Sequence, residues 1–389
     1  MSDTPLPENA GENSLGWTES KRIVLATAEK PFELFSGEKI GPVTVEYEDY
    51  GPADAPVILI CHALTGDAHV AGWDKNWRRD NRPWREKAPG WWDNVIGPGK
   101  AVDTRRFRVI CSNVLGSCYG TTGPADVNPR TGRPYGLGFP IVTVQGWVKL
   151  QKALMDALGI KKLHAVIGGS LGGQQALEWA LAYPGFAERT IVFASAARLS
   201  AQGLGFNAVG RFAIMNDPHF NGGNYYDGEP PKAGLAAARM LAHITYLSEE
   251  TMHRKFGRRL QEHDELHFGF DAEFQVESYL NHQGQKFVQR FDANSYMYIT
   301  RAMDYYDAAE HWGGGALSEA CKRIRGRMLI ASFSSDWLYP PSASRELAFA
   351  VSNNGSPVTY VNVPSGYGHD AFLVQTAEVS GILRNFLDS

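Results

Sequence analysis

Leu163-His-Ala-Val-Ile-Gly-Gly-Ser170-Leu-Gly-Gly-Gln-Gln-Ala-Leu-Glu-Trp-Ala180 reads as a short buried strand (Leu163 to Ile167), a glycine-packed corner with Ser170 at its apex, and a helix from about Gln174. This is the strand–turn–helix setting in which a Gly-x-Ser-x-Gly corner, here Gly168 to Gly172, exposes a nucleophilic hydroxyl. With 41 Gly in 389 residues the bare pattern decides little, and its position decides more. An apolar strand precedes it, and Ala176, Leu177, Ala180 and Leu181 give the following helix an apolar face. The competing reading is a tight βα turn packed against a sheet.

Working outward, Val57-Ile-Leu-Ile-Cys61, Phe107 to Cys111, Thr190 to Ala194, Met328 to Phe333 and Val358 to Val363 are short apolar runs of the buried parallel-strand kind. Val43-Thr-Val-Glu-Tyr-Glu alternates as an edge strand does. Val142 to Leu158 predicts a helix with Trp147, Leu150, Leu154 and Leu158 on one face. From Arg198 to Ala309 buried β runs are lacking and the pattern is helical, as in Leu235 to Tyr246. The expected fold is therefore α/β, a mostly parallel doubly wound sheet with an inserted helical lid above the strands' C-terminal ends. The division reads as a disordered tail over 1–19, a core over 20–197 and 310–389, and a lid over 198–309. Trp73 to Lys100 is rich in Trp, Arg, Pro and Gly. Its charged run Arg78 to Lys87 reads as a solvated loop, with a rim facing an anionic substrate as the alternative.

Composition narrows the class. A net charge of −4 argues against a nucleic-acid binder, and the lack of a long apolar run or an apolar leader gives no support to membrane insertion or export. Cys61, Cys111, Cys118 and Cys321 form no Cys-x-x-Cys pair, which reads as a reducing, cytoplasmic setting without disulfides or structural zinc.

A serine nucleophile needs a base, and the base an orienting acid. In the hydrolase architecture these follow in the order Ser, acid, His. Asp336 lies just beyond the strand ending at Phe333, and His369 just beyond the strand ending at Val363, both on the sheet edge of Ser170. His164 lies within the elbow strand and reads as structural, and His62 precedes the acid. His263 and His267 have helical i, i+4 spacing but lack a third ligand, so no metal is expected. The oxyanion donors would be the backbone N–H groups of Leu171 and, after the third strand, Leu64.

These segments resemble the homoserine O-acetyltransferase family of α/β-hydrolase-fold acyltransferases. The likeness runs through His62-Ala-Leu-Thr-Gly-Asp-Ala-His69, Gly90 to Lys100, Gly120-Thr-Thr-Gly-Pro124 and the elbow. It continues in Arg290-Phe-Asp-Ala-Asn-Ser-Tyr296, Ser335-Asp-Trp-Leu-Tyr-Pro-Pro341 and Gly368-His-Asp-Ala-Phe-Leu373, spanning roughly residues 35 to 388. The resemblance implies transfer of an acetyl group from acetyl-CoA to the side-chain hydroxyl of L-homoserine through acyl-Ser170, in methionine synthesis, by a homodimer joined through the lid. No cofactor is expected; acetyl-CoA is a co-substrate. The resemblance also implies that Arg211 grips the substrate α-carboxylate and that Asp370 meets its α-ammonium. Ser117, Tyr119 and Phe212 depart from the family pattern, which leaves succinyl-CoA as donor and serine as acceptor open. The Trp337-Leu-Tyr-Pro-Pro341 run favours acetyl. A serine esterase or hydrolase is the rival class.

Overall fold

The structure, a computed structural model, describes residues 7, 10–262 and 264–389. Among these, the central sheet has eight strands: β1 (Lys21–Ala26), β2 (Val43–Tyr50), β3 (Val57–Cys61), β4 (Arg108–Ser112), β5 (Leu163–Gly169), β6 (Ala187–Phe193), β7 (Arg327–Phe333) and β8 (Val358–Val363). Their order is β8-β7-β6-β5-β3-β4-β2-β1. The run from β4 to β8 is parallel, while β2 and β1 add antiparallel at one edge. All five residues of β3 are buried because the sheet is covered on both faces. Leu59 joins one core with Trp147 and Leu150 of helix α1 (Val144–Ala157). Ile58 and Ile60 face the opposite core, against Val379 and Leu383 of the C-terminal helix Thr376–Asp388. The two-residue period of a strand thus sorts one apolar run into two layers.

Helix α2 (Leu171–Ala182) starts directly at the serine, earlier than the glycine-rich sequence predicts. Between β6 and β7 the chain leaves the sheet and forms helices α3 (Ala201–Met215), α4 (Lys232–Tyr246), α5 (Glu249–Lys255), α6 (Gln275–Val288) and α7 (Ala293–Tyr305). An antiparallel bridge between Arg198 and Asp307 closes the base of this excursion. The lid is fastened to the sheet's loops. Trp337 Nε1 donates to Leu247 O at 3.0 Å, and Thr251 Oγ1 donates to Gly366 O at 2.5 Å.

Two expectations are corrected. The tail does not stay unpaired as far as residue 19. Trp17–Thr18 runs parallel to Trp73–Asp74, with Trp73 N donating to Gly16 O at 2.9 Å. The run Arg78 to Lys87 is not simply solvated either. Arg82 is buried against Glu46 at 2.7 Å, and buried Arg85 bridges Asp67 at 2.6 Å and Asp74 at 2.7 Å. Each buried guanidinium is matched by carboxylates, as low-dielectric burial requires.

Candidate active site

Ser170 has φ 57° and ψ −126°, a conformation L residues rarely adopt. The neighbourhood enforces it. A Cβ at Gly168 would meet the backbone of Gly172, and a Cβ at Gly172 would meet the carbonyl of Cys61, so strand, corner and helix can close only with glycine at both places. Ser170 N donates to Phe193 O at 3.0 Å, and Ser195 Oγ donates to Ser170 O at 2.7 Å, pinning the corner to β6.

Three post-strand loops converge here. His369 Nε2 lies 2.8 Å from Ser170 Oγ, and His369 Nδ1 lies 2.8 Å from Asp336 Oδ2. Asp336 Oδ1 accepts from Leu338 N at 3.0 Å and Tyr339 N at 2.9 Å, so only one oxygen is left to orient the imidazole. With Nδ1–H donating to the acid, Nε2 is free to receive the serine proton. The ring is packed by Tyr339, stacked at 5.2 Å, and by Phe372 at 5.8 Å edge-on. Burial pulls the pKa of His369 down, but the charge and hydrogen bond of Asp336 outweigh it, and the net shift is upward.

Leu171 N is the first amide of α2 and has no intrahelical acceptor. Leu64 lines the same small pocket as Ser170. Its loop is held from below. Gln175 Nε2 donates to His62 O at 3.0 Å, while Gln151 Nε2 donates to Gln175 Oε1 at 2.8 Å and Trp179 Nε1 to Gln151 Oε1 at 2.7 Å. Buried His62 is itself structural. Its Nδ1–H donates to Ala63 O at 2.8 Å and its Nε2 accepts from Val114 N at 3.2 Å, and burial lowers its pKa. His164 is structural too, with Nε2 lying 3.3 Å from Leu387 O.

Arg211 is buried and committed elsewhere. Its guanidinium pairs with Asp304 at 2.5 Å and donates to Thr300 Oγ1 at 3.1 Å. Asp370 is half-buried beside His369. Burial pushes its carboxyl pKa up against the pull of His369 and Arg239. A second cation, Arg239 of α4, faces the same site without a motif of its own in the sequence. It lies over the rings of Phe287 (4.7 Å) and Tyr246 (5.6 Å) and reaches Thr65 Oγ1 at 3.4 Å. Its Nε is buried without an acceptor, it has no carboxylate partner among the described residues, and burial lowers its pKa. The signal was present in the sequence. Arg239 follows Leu235 by one helical turn and precedes Ala242, inside the buried face of α4.

Among the described residues no group of three His, Cys, Asp or Glu side chains is placed to hold a metal ion. His263 lies outside the described residues, and His267 N donates to Glu273 Oε1 at 3.1 Å.

A serine, a histidine and an acid on three post-strand loops of a largely parallel sheet, beneath a helical insertion, define a serine enzyme of the α/β-hydrolase fold. A family model for that fold matches residues 56–376. The chain belongs, within it, to the homoserine O-acetyltransferase family. It is 52% identical over 357 residues to the homoserine O-acetyltransferase of Methanohalobium evestigatum, covering 91% of this chain and 71% of that one. It is 49% identical over 375 residues to that of Mesorhizobium japonicum, covering 95% and 94%. Among solved structures, a homoserine O-acetyltransferase from Bacillus anthracis superposes with TM-score 0.87 at 28% identity, over 96% of this chain and 99% of that one. A crystallised esterase superposes with TM-score 0.84 at 32% identity, over 95% and 100%.

Proposed function

We propose that this chain moves an acetyl group from acetyl-CoA to the side-chain hydroxyl of L-homoserine through an acetyl-Ser170 intermediate, supplying an activated ester for methionine synthesis. His369 Nε2 takes the Ser170 proton as Oγ attacks the thioester carbonyl, and the oxyanion is met by Leu171 N–H and Leu64 N–H. The tetrahedral adduct expels the CoA thiolate, which leaves with the proton from His369. The homoserine hydroxyl then gives its proton to His369, attacks the acetyl-serine carbonyl, and frees Ser170. The observation that carries this reading is the closed hydrogen-bonded chain Ser170–His369–Asp336, beside which Asp370 and Arg239 feel one another's charge and have no ion-pair partner among the described residues.

For the acceptor, we assign the α-carboxylate to Arg239 in place of Arg211, whose charge Asp304 already meets. Asp370 takes the α-ammonium. An apolar pocket with Leu199, Phe206 and Met303 beside Ser170, without a charged side chain in its lining, supports acetyl over succinyl. The resemblance to a solved esterase favours a second reading, in which water takes the acyl group. A donor-by-acceptor matrix of acetyl-CoA and succinyl-CoA against homoserine and serine separates these readings. Homoserine-dependent thiol release from acetyl-CoA is expected, and release indifferent to the amino acid would establish the hydrolase.

Pairing of two copies through the lid is also proposed. The exposed Leu204, Val209, Phe212 and Met215 of α3 are apolar side chains that a second copy would cover, and sedimentation of Phe212→Asp against the unaltered chain tests it. No helix among the described residues is long and apolar enough to cross a membrane. Four unpaired cysteines support the cytoplasmic setting.

A further inference from the structure

Two cavities meet at the same three side chains. The small pocket of about 40 Å³ that holds Ser170 and an outer cleft of about 270 Å³ have Leu199, Leu338 and Tyr339 in common, and no other of the described residues. The outer cleft is edged by Arg198 and Glu346, both exposed and joined at 3.4 Å. Leu199 and Leu338 are half-buried and Tyr339 is buried. They form a wall one side chain thick, with the nucleophile on one side and solvent on the other. The wall is held from both ends. Leu338 N and Tyr339 N donate to Asp336 Oδ1 at 3.0 and 2.9 Å, and the Tyr339 ring is stacked on His369 at 5.2 Å. Pro340 and Pro341, which opens the helix Pro341–Ser352, fix the chain directly after it. Leu199 comes from the root of the lid. It stands between Arg198, bridged to Asp307, and Ser200, whose hydroxyl accepts from Gly203 N at 3.1 Å to cap α3. The wall is thus a seam between a core loop and the lid. Its one polar side-chain atom, the Tyr339 hydroxyl, is buried without a partner, so no chain of hydrogen bonds crosses it among the described residues.

An acyl-serine intermediate has a particular need for such a seam. Acetyl-Ser170 is an ester held beside its own base. Water attacking the acetyl carbonyl would give its proton to His369 Nε2, and the bond from the carbonyl carbon to Ser170 Oγ would break. Oγ would take that proton back, and acetate would leave in place of the amino-acid ester. Solvent outnumbers any amino acid, so preference for transfer has to come from keeping water away. Homoserine seated over Ser170 blocks its own entrance, and the seam closes the approach from the outer cleft. We propose that Leu199, Leu338 and Tyr339 exclude water from acetyl-Ser170 and so set the choice between transfer to an amino-acid hydroxyl and hydrolysis. The proposal rests on the acetyl-transfer reading of Ser170 and adds to it the residues that protect its intermediate.

The test measures acetate and O-acetylhomoserine formed from acetyl-CoA at saturating homoserine in Leu199→Ala and Leu338→Ala, which thin the wall from the lid side and from the core side. The ratio of acetate to ester is expected to rise about tenfold in each. Leu241→Ala is the comparison. Leu241 lines the serine pocket but not the outer cleft, so its truncation enlarges the pocket with the wall intact, and the ratio is expected to stay near that of the unaltered chain. Acetylation of Ser170 by acetyl-CoA establishes that each variant is folded, and Leu338→Val carries the same prediction, with a smaller rise, if Leu338→Ala does not fold. A ratio unchanged in both wall variants, or raised equally in Leu241→Ala, overturns the assignment. Acetate formed by the unaltered chain at a rate indifferent to homoserine would instead sink the acetyl-transfer reading, a result distinct from an unchanged ratio in the variants.

Discussion

The side-chain amide of Gln175 donates to the carbonyl oxygen of His62 at 3.0 Å, and so ties the helix that begins at the nucleophile to the loop that carries Leu64. The two donors proposed for the oxyanion, Leu171 N–H and Leu64 N–H, come from these two elements. Their spacing therefore depends on a buried contact between positions far apart in the chain. Gln175→Leu leaves His62 O and the amide of Gln151 without partners. It is expected to lower kcat roughly 10–100-fold with little change in KM for homoserine. Steady-state kinetics check this, and an equal loss in KM with kcat intact would assign Gln175 to substrate binding instead.

The two arginines make opposite predictions. Arg211→Leu takes the buried guanidinium from Asp304, leaving it the amide of Asn207 at 2.8 Å and the more exposed Arg301 at 3.5 Å, and is expected to cost about 1–3 kcal/mol of stability, while the folded fraction keeps its KM for homoserine. Arg239→Lys keeps the charge but loses the fork. It is expected to raise KM for homoserine about tenfold or more, with acetylation of Ser170 by acetyl-CoA still occurring. Thermal melts and single-turnover acylation separate the two.

How much of this was legible in the sequence follows from how local each signal is. The elbow was readable because its glycines, strand and helix lie within one stretch. Asp336 and His369 were readable because each follows an apolar strand directly. The partner of the substrate carboxylate was harder to read, because Arg211 and Arg239 both lie on lid helices and only the fold shows that Asp304, 93 residues beyond Arg211, pairs with it while Arg239 has no carboxylate partner among the described residues. The same holds for Arg82 and Arg85, whose partners Glu46, Asp67 and Asp74 come from other segments, and for Trp17, which finds its strand partner only at Trp73. The helix starts at Leu171 despite two glycines in its first turn because those glycines are what the close approach to β3 demands.

The pH dependence of acylation follows from His369. The base must be neutral to accept the Ser170 proton, and Asp336 raises its pKa above the ordinary 6.5. The rate of thiol release is expected to rise with pH through an apparent pKa above 6.5 and then level off. Asp336→Asn is expected to shift that limb to lower pH and to reduce the plateau by several orders of magnitude. A limb below 6.5 in the unaltered enzyme would contradict the proposed electrostatics.

Glu178 offers a stability test away from the chemistry. It sits buried on α2, accepts from Trp312 Nε1 at 3.0 Å, and burial pushes its pKa up to about 8. Because the folded state favours the protonated acid, its contribution is full below the ordinary value near 4.5 and is lost as pH rises toward 8. Glu178→Gln removes the titration. The variant should gain on the unaltered chain across that window, by an amount on the order of a few kcal/mol, and the gap should be constant above it. Melting curves at stepped pH would reveal a flat difference if the acid is solvated after all.

In the proposed reaction Ser170 carries the acyl group and homoserine removes it. Mass spectrometry of the peptide containing Ser170, after mixing with acetyl-CoA alone and then adding homoserine, tests this most directly. Acetylation of Ser170 is expected to accumulate without homoserine, to discharge to O-acetylhomoserine when it is added, and to be absent in Ser170→Ala. Acetylation that decays at the same rate with and without homoserine, or that persists in Ser170→Ala, would contradict it.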